Sequence, residues 1–192
     1  SFRSCPMKFF REYMLHYKPS TSSVHLHAGG AFARGLEVAR RSFYEDGHSE
    51  SDSIAYGLGA LLKAYGDFEC PSDSAKSLER MAGAFEFYLE RYPMPTDDAR
   101  PYTLADGRKA IEFSFAEPLD IMHPETRDPI IFCGRDDMVA DFAGGTYIFD
   151  DKTASSLGAT WAKQWEMRAQ FSGYCWAAKR SGLPVNGVLV RG

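Results

Sequence analysis

The stretch YIFDDKTAS, Tyr147 to Ser155, sets two carboxylates and an ammonium directly after an apolar run with strand-like alternation. Working outward, AGGT (Ala143 to Thr146) reads as a glycine turn and PIIFCGRDDMVADF (Pro129 to Phe142) as the strand before it, so the two segments make a hairpin. With the turn centred on Gly144 and Gly145, Ala143 faces Thr146 and Asp137 faces Lys152. Side chains alternate along a strand, which puts Asp137, Asp150 and Lys152 on one face and Asp136 and Asp151 on the other. Facing Cβ atoms lie ~4.5–5.5 Å apart and diagonal ones ~7–8 Å, close enough for the Asp137 and Asp150 carboxylates to converge on one cation. The expectation depends on register, because a slip of one residue separates the set.

Two carboxylates that converge without a cation repel each other, and one of them takes up a proton. With Mg²⁺ or Mn²⁺ they make the open oxygen site that such hard cations prefer, leaving positions for water and phosphate. A lysine beside them can orient the attacking water or stabilise charge that develops on phosphorus. This is the chemistry of phosphodiester hydrolysis.

At these residues the sequence resembles the PD-(D/E)XK nuclease superfamily, and within it the RecB-like exonuclease branch of phages and bacteria. GRDD (Gly134 to Asp137) and DDKT (Asp150 to Thr153) match its G-x-x-D and D-x-K-T elements in order and at a hairpin's length. The resemblance implies Asp137 and Asp150 as ligands to one or two Mg²⁺ or Mn²⁺ ions. It also implies Lys152 as the catalytic lysine and Asp151 as a ligand through its backbone carbonyl only. EFSF is similar to the strand that supplies a glutamate, here Glu112; the alternative for Glu112 is an exposed strand carboxylate. QFSGY resembles the Q-x-x-x-Y element, in which Gln170 and Tyr174 share a helix face and contact DNA or brace the site. SFRSCPMKFF is similar to the S-x-x-x-C-P-x-x-F opening of the branch.

Two departures stand out. GAFARGLE, aligned on Leu36 and Glu37, puts Ala33 where the branch's first helix carries a metal-binding histidine. Glu37 is the residue that could partly replace it, with a salt bridge to Arg34 or Arg41 as the alternative reading. Arg34 joins Gln170 and Tyr174 as a candidate DNA contact, and His25 and His27 stand upstream at the wrong spacing. Secondly, only Cys175 follows the Q-x-x-x-Y element, where relatives with an iron–sulfur cluster need three cysteines, so no cluster is expected unless a continuing C-terminus carries the others.

Around this centre the sequence predicts an α/β fold with a mixed central sheet flanked by helices. Helices are expected over 2–17, from Gly29 to Gly47, and over 53–66, 74–92 and 158–181. Strands are expected in KAIEFSFAEPL and LPVNGVLVRG, with YPMPTDDARP as a loop. In the first of these strands Ile111, Phe113 and Phe115 take one side and Glu112 and Ser114 the other. Trp161 and Trp165 read as packing on a helix face, and Cys5 and Cys133 as buried small hydrophobes.

A chain of 192 residues suits one nuclease domain over 1–192, with N-terminal helices over about 1–92 and the catalytic sheet and helix over about 105–192. It opens without a methionine and stops at GVLVRG inside an expected strand, so its C-terminus is expected to continue. Basic residues gather in RGLEVARR and at Lys163, Arg168, Lys179 and Arg180, although the net charge is −4. No apolar run approaches the ~20 residues that span a bilayer. The four cysteines form no CxxC pair, so a reducing cytoplasm is expected, and the branch resembled implies that of a bacterium or a phage-infected cell. TYIFDD also has the look of an acidic Walker strand, but no phosphate-cradling G-x-x-x-x-G-K-[ST] loop accompanies it. The expected function is a metal-dependent DNA exonuclease of recombination, repair or phage DNA processing, with DNA as partner and room for a recombination or helicase partner. The alternatives are a structure-specific or restriction-type endonuclease and a nuclease-fold module that binds DNA without cutting it.

Overall fold

The computed structural model describes residues 5–17, 23–154, 158–166 and 168–192. Residues 1–4, which belong to the opening motif and the start of the expected first helix, lie outside them. The chain runs through α1 (Pro6–Phe9), a π-helical turn (Phe10–Met14), α2 (Val24–Tyr44), α3 (Glu50–Tyr65), α4 (Leu78–Arg91) and β1 (Arg100–Pro101). It continues through β2 (Ile111–Met122), β3 (Pro129–Phe142), β4 (Gly145–Asp151), α5 (Ala159–Lys163), α6 (Ala169–Arg180) and β5 (Val185–Arg191). The result is a mixed α/β fold: a five-stranded sheet in which β3 pairs antiparallel with β1, β2 and β4, and β4 pairs parallel with β5.

Helices α2, α3 and α4 form one layer. Phe32, Leu36 and Ala39 of α2 recur at helical spacing and bury against Leu61 of α3 and Met81, Phe85 and Leu89 of α4. Helices α2 and α3 meet with almost nothing between them, since a Cβ on Gly57 would lie 2.7 Å from Ala39 Cβ and 2.7 Å from the Gly35 carbonyl. On the sheet, Val139 and Ile148 pack with Ala178 of α6 and Val185 of β5, while Met138, Ala140 and Phe149 form a separate cluster with Ala99. Among the described residues no helix is long and apolar enough to cross a membrane.

Several boundaries differ from the sequence reading. Helix α2 starts at Val24 and runs through Gly29 and Gly30 instead of beginning there. Ala28 is fully buried, and the His27 ring hydrogen-bonds the Tyr65 carbonyl at 2.7 Å and stacks on Phe68, so tertiary contacts hold a first turn that glycine propensity disfavours. Helix α3 begins at Glu50 because Ser49 caps it, and α4 begins only at Leu78, after the Ser77 cap. The loop 92–101 carries a short strand, β1, paired with Asp141 and Ala140. The long helix expected over 158–181 is two helices: Arg168 is extended, and its guanidinium bonds the Gln164 carbonyl at 2.7 Å across the break. Cys5 and Cys133 are exposed rather than buried; Cys5 caps α1, accepting from Lys8 N–H at 3.4 Å, and Cys133 lies on the β2–β3 ribbon.

The turn of the central hairpin also moves. Ala143 (φ 48°) and Gly144 (φ 81°) are its two central residues, both left-handed as a two-residue primed turn requires, so Phe142 faces Gly145. In this register Asp141 faces Thr146 and accepts its hydroxyl hydrogen bond at 2.7 Å, a contact that a turn on Gly144 and Gly145 would lose.

Candidate active site

The change of register alone preserves face parity, but a second irregularity does not. In the β2–β3 ladder Ile111 faces Met138 and Phe113 faces Asp136, while Glu112 and Asp137, which stand opposite each other between these pairs, form no ladder pair. Glu112 has φ 53°, a left-handed conformation that costs a non-glycine residue about 1–2 kcal/mol. Strand alternation breaks there: Phe113 packs in the α6 cluster, whereas Met138, the partner of Ile111, packs in the other. The expectation that Ile111 and Phe113 share one side is corrected accordingly.

The β3–β4 ladder stops at Met138 and Phe149, although β4 stays paired to β5 through Asp151. Beyond that point the two central strands part. The Asp151 N–H, which would otherwise continue the ladder, donates to the Asp137 carboxylate at 2.8 Å. Gly134, which opens GRDD, is small for a packing reason: a Cβ there would lie 2.5 Å from the Phe115 ring.

A cavity of about 400 Å³ opens between the parted strands and α2, and Glu112, Asp137, Asp151, Lys152, Arg40 and Ala33 line it. The expected face assignment is corrected in part. Asp137 shares this cavity with Asp151, while Asp150 lies outside the lining, buried, with its carboxylate 2.6 Å from Lys152 Nζ in an ion pair. Asp136 is buried near Asp150, and both of its oxygens lack a hydrogen-bond partner. The break in alternation at Glu112 and Asp137 produces this exchange of neighbours.

Asp151 is bound up elsewhere. Its two oxygens accept from Arg40 at 2.7 Å and from the Tyr88 hydroxyl at 2.6 Å, and Arg40 also donates to Tyr88 at 3.0 Å. Burial works against the Arg40 charge, and the Asp151 carboxylate overturns that effect, holding the guanidinium above its ordinary range. The sequence reading passed over Arg40, although it continues the buried Phe32 and Leu36 stripe by one more helical turn and so could have signalled a buried partner. A second fastening missed by the sequence reading is Arg191 to Asp97, bidentate at 2.7 and 2.8 Å, with Arg191 lying over the Tyr92 and Phe149 rings.

The remaining candidates lie off the cavity. Glu37 pairs with Arg34 at 2.6 Å and Arg41 at 3.4 Å, the salt-bridge alternative, so neither Glu37 nor Arg34 lines it. Gln170 donates to the Tyr174 hydroxyl at 2.8 Å, and Tyr174 packs against Phe115. Trp161 and Trp165 contact each other, and Trp165 lies 6.0 Å from Lys152 Nζ. His25, set aside on spacing, does line the cavity.

The carboxylates carry the mark of a site built for positive charge. Burial first, then Arg135 acting the other way and Asp137 adding to it, leave Glu112 with a pKa of about 7. Asp136 is pushed up to about 7 by burial and by Asp137 and Asp150. Asp137 is pushed up to about 6 by burial and by Asp151, and Asp150 is raised by burial against the pull of Lys152. Among the described residues no group of three or more His, Cys, Asp or Glu side chains converges on a metal ion. Two carboxylates completed by water and phosphate nevertheless suit Mg²⁺, which dehydrates reluctantly and takes one or two carboxylates with substrate oxygens.

These shifts predict a pH dependence of stability. The folded-state pKa values of Glu112, Asp136 and Asp137 lie above the ordinary carboxylate values, so the native state binds more protons than the unfolded chain between about pH 4 and pH 7. Their contribution is therefore fully present below about pH 4 and lost as pH rises through 6 and 7. Metal-free protein is expected to melt at a lower temperature at pH 8 than at pH 5, with Mg²⁺ or Mn²⁺ closing the gap. A melting temperature indifferent to both changes would contradict the charge assignment.

A hairpin that parts to expose carboxylates beside a lysine, held in a mixed sheet between helices, defines a phosphodiester-hydrolysing class of protein. The chain belongs to the PD-(D/E)XK nuclease superfamily, whose family model matches residues 1–191. No curated protein and no solved structure matches it. The superfamily makes nuclease activity on DNA and a divalent metal the coarse description of this chain.

Proposed function

We propose that residues 1–192 form a single domain of the RecB-like branch, a Mg²⁺- or Mn²⁺-dependent deoxyribonuclease that digests DNA from its ends in recombination, repair or phage DNA processing. The cytoplasm of a bacterium or a phage-infected cell is its proposed location. The observation that carries the activity is the cavity shared by Glu112, Asp137 and Lys152, with Asp150 ion-paired to the same lysine. Asp137 would hold the ion from within the cavity, with Glu112 and the Asp151 carbonyl assisting, and Asp150 would join as a ligand on leaving Lys152. An ion held there would supply positive charge to the phosphate and lower the pKa of a bound water. Lys152 supplies a positive charge to oxygens that become more negative in the transition state. Gln170 and Tyr174 brace the sheet from α6, and Tyr174 packs in the cluster beneath Val139 and Ile148.

The test is digestion of end-labelled linear DNA beside closed circular DNA, with Mg²⁺, Mn²⁺ or EDTA. Loss of linear DNA only, abolished by EDTA, is the expected result. Cutting of circles would replace this reading with an endonuclease. The non-cleaving module has one observation in its favour, Ala33 in the cavity wall where the branch carries histidine. Binding without cleavage in either metal would establish it.

A further inference from the structure

Next to the catalytic cavity, and sharing Lys152 with it, lies a second cavity of about 230 Å³ between α4 and the end of β4. Its helical wall is a stripe of α4, Arg80, Ala84, Phe87 and Arg91, at the spacing of one helix face. Beside this wall stands Lys76, only 8% exposed. Burial pulls the Lys76 ammonium below its ordinary range, and among the described residues no carboxylate pairs with it. Its stem is covered while its ammonium, which pairs with no protein group among the described residues, opens on the cavity, where it can take an anion. Phe87 is 68% exposed in the middle of the helix, an aromatic face that packing does not use. Arg80 and Arg91 form no ion pair among the described residues and stand 11 residues apart, about 16 Å along the helix axis.

Cations for phosphates and an open aromatic face for a base are the two components of a single-strand track. A recess of about 230 Å³ is of the size of one nucleotide and has no room for a stacked duplex. We propose that this second cavity holds an unpaired nucleotide of the DNA strand being cut, with its base against Phe87 and its flanking phosphates on Lys76, Arg80 and Arg91. The substrate class is then a single-stranded DNA end, delivered directly to Lys152. The proposal rests on the nuclease reading only for its location beside the reacting phosphate.

Binding is measured by fluorescence anisotropy in EDTA, so that no cleavage intervenes, with a labelled single-stranded oligonucleotide and the same sequence as a blunt duplex. The wild-type protein is compared with Phe87→Ala and Lys76→Gln. Phe87→Ala is expected to weaken single-strand binding by about 5- to 100-fold, as loss of one stacked base does, with duplex binding changed little. Lys76→Gln is expected to lower the slope of log affinity against log salt by about 0.7, as loss of one single-strand phosphate contact does. Phe87 is exposed, so its substitution leaves the core intact even if Lys76→Gln perturbs folding. Single-strand affinity unchanged in Phe87→Ala, or lost equally for the duplex, overturns the proposal and leaves the nuclease reading standing. Single-strand binding that depends on Phe87 in a protein that never cuts DNA supports the track and removes the nuclease reading alone.

Discussion

Asp151→Ala is expected to destabilise the protein by about 3–5 kcal/mol, the usual cost of leaving one partner of a buried ion pair uncompensated. The pair is largely withdrawn from water at the floor of the cavity, with Arg40 and Asp151 side chains 6% and 4% exposed, and Tyr88 bonds both of them. Removing the carboxylate leaves a guanidinium that burial already disfavours, and it unties α2 and α4 from β4 at one stroke. For a domain of this length a loss of that size lowers the melting temperature by roughly 6–20 °C. Urea unfolding of Asp151→Ala, Arg40→Met and the double variant separates the pair from mere packing. The double variant should lose less than the two single losses combined, because no lone charge is left behind. Additive losses, or a single loss under about 1 kcal/mol, would remove the tie from its role.

Asp137→Asn, on the neighbouring strand and accepting from the Asp151 N–H, is expected to behave in the opposite sense. Cleavage of linear DNA should fall by at least about 10²–10³-fold, the scale on which groups that stabilise a developing charge act. Stability at pH 8 should hold or rise, because the substitution removes a negative charge that burial and Asp151 disfavour while an amide oxygen can still accept from the Asp151 N–H. Lys152→Ala should abolish cleavage as well, but it also strips buried Asp150 of its counter-ion, so Asp137→Asn gives the cleaner separation of activity from folding. Initial rates with saturating Mg²⁺, read beside melting temperatures, test both expectations. An Asp137→Asn enzyme within a few-fold of wild type would exclude Asp137 from the chemistry.

The contrast between these two aspartates marks what local pattern can and cannot reveal. The residue types of the site, its order along the chain and the hairpin that carries it were legible, because alternation, glycine turns and charges at a strand end are local properties. The α2 stripe of Phe32, Leu36 and Ala39 was legible for the same reason, whereas Arg40, four residues past Leu36, passed unread although its place on that stripe could have signalled a buried partner. The identity of that partner was not legible, since Arg40 and Asp151 lie 111 residues apart and meet only when the helical layer closes on the sheet.

The sequence by itself determined that a mixed α/β chain presents a pair of aspartates and a lysine at the end of a central hairpin. Tertiary structure decided which carboxylate looks where. The primed turn at Ala143 and Gly144 fixed the register, and the left-handed backbone at Glu112 broke alternation, so Asp137 turned towards α2 and Asp136 towards Asp150. A single dihedral of that kind costs little and leaves no periodic trace, yet it reassigns side chains between the two faces of a sheet. The α4 stripe of Arg80, Phe87 and Arg91 likewise reads as an ordinary solvated face until the fold sets it beside Lys152.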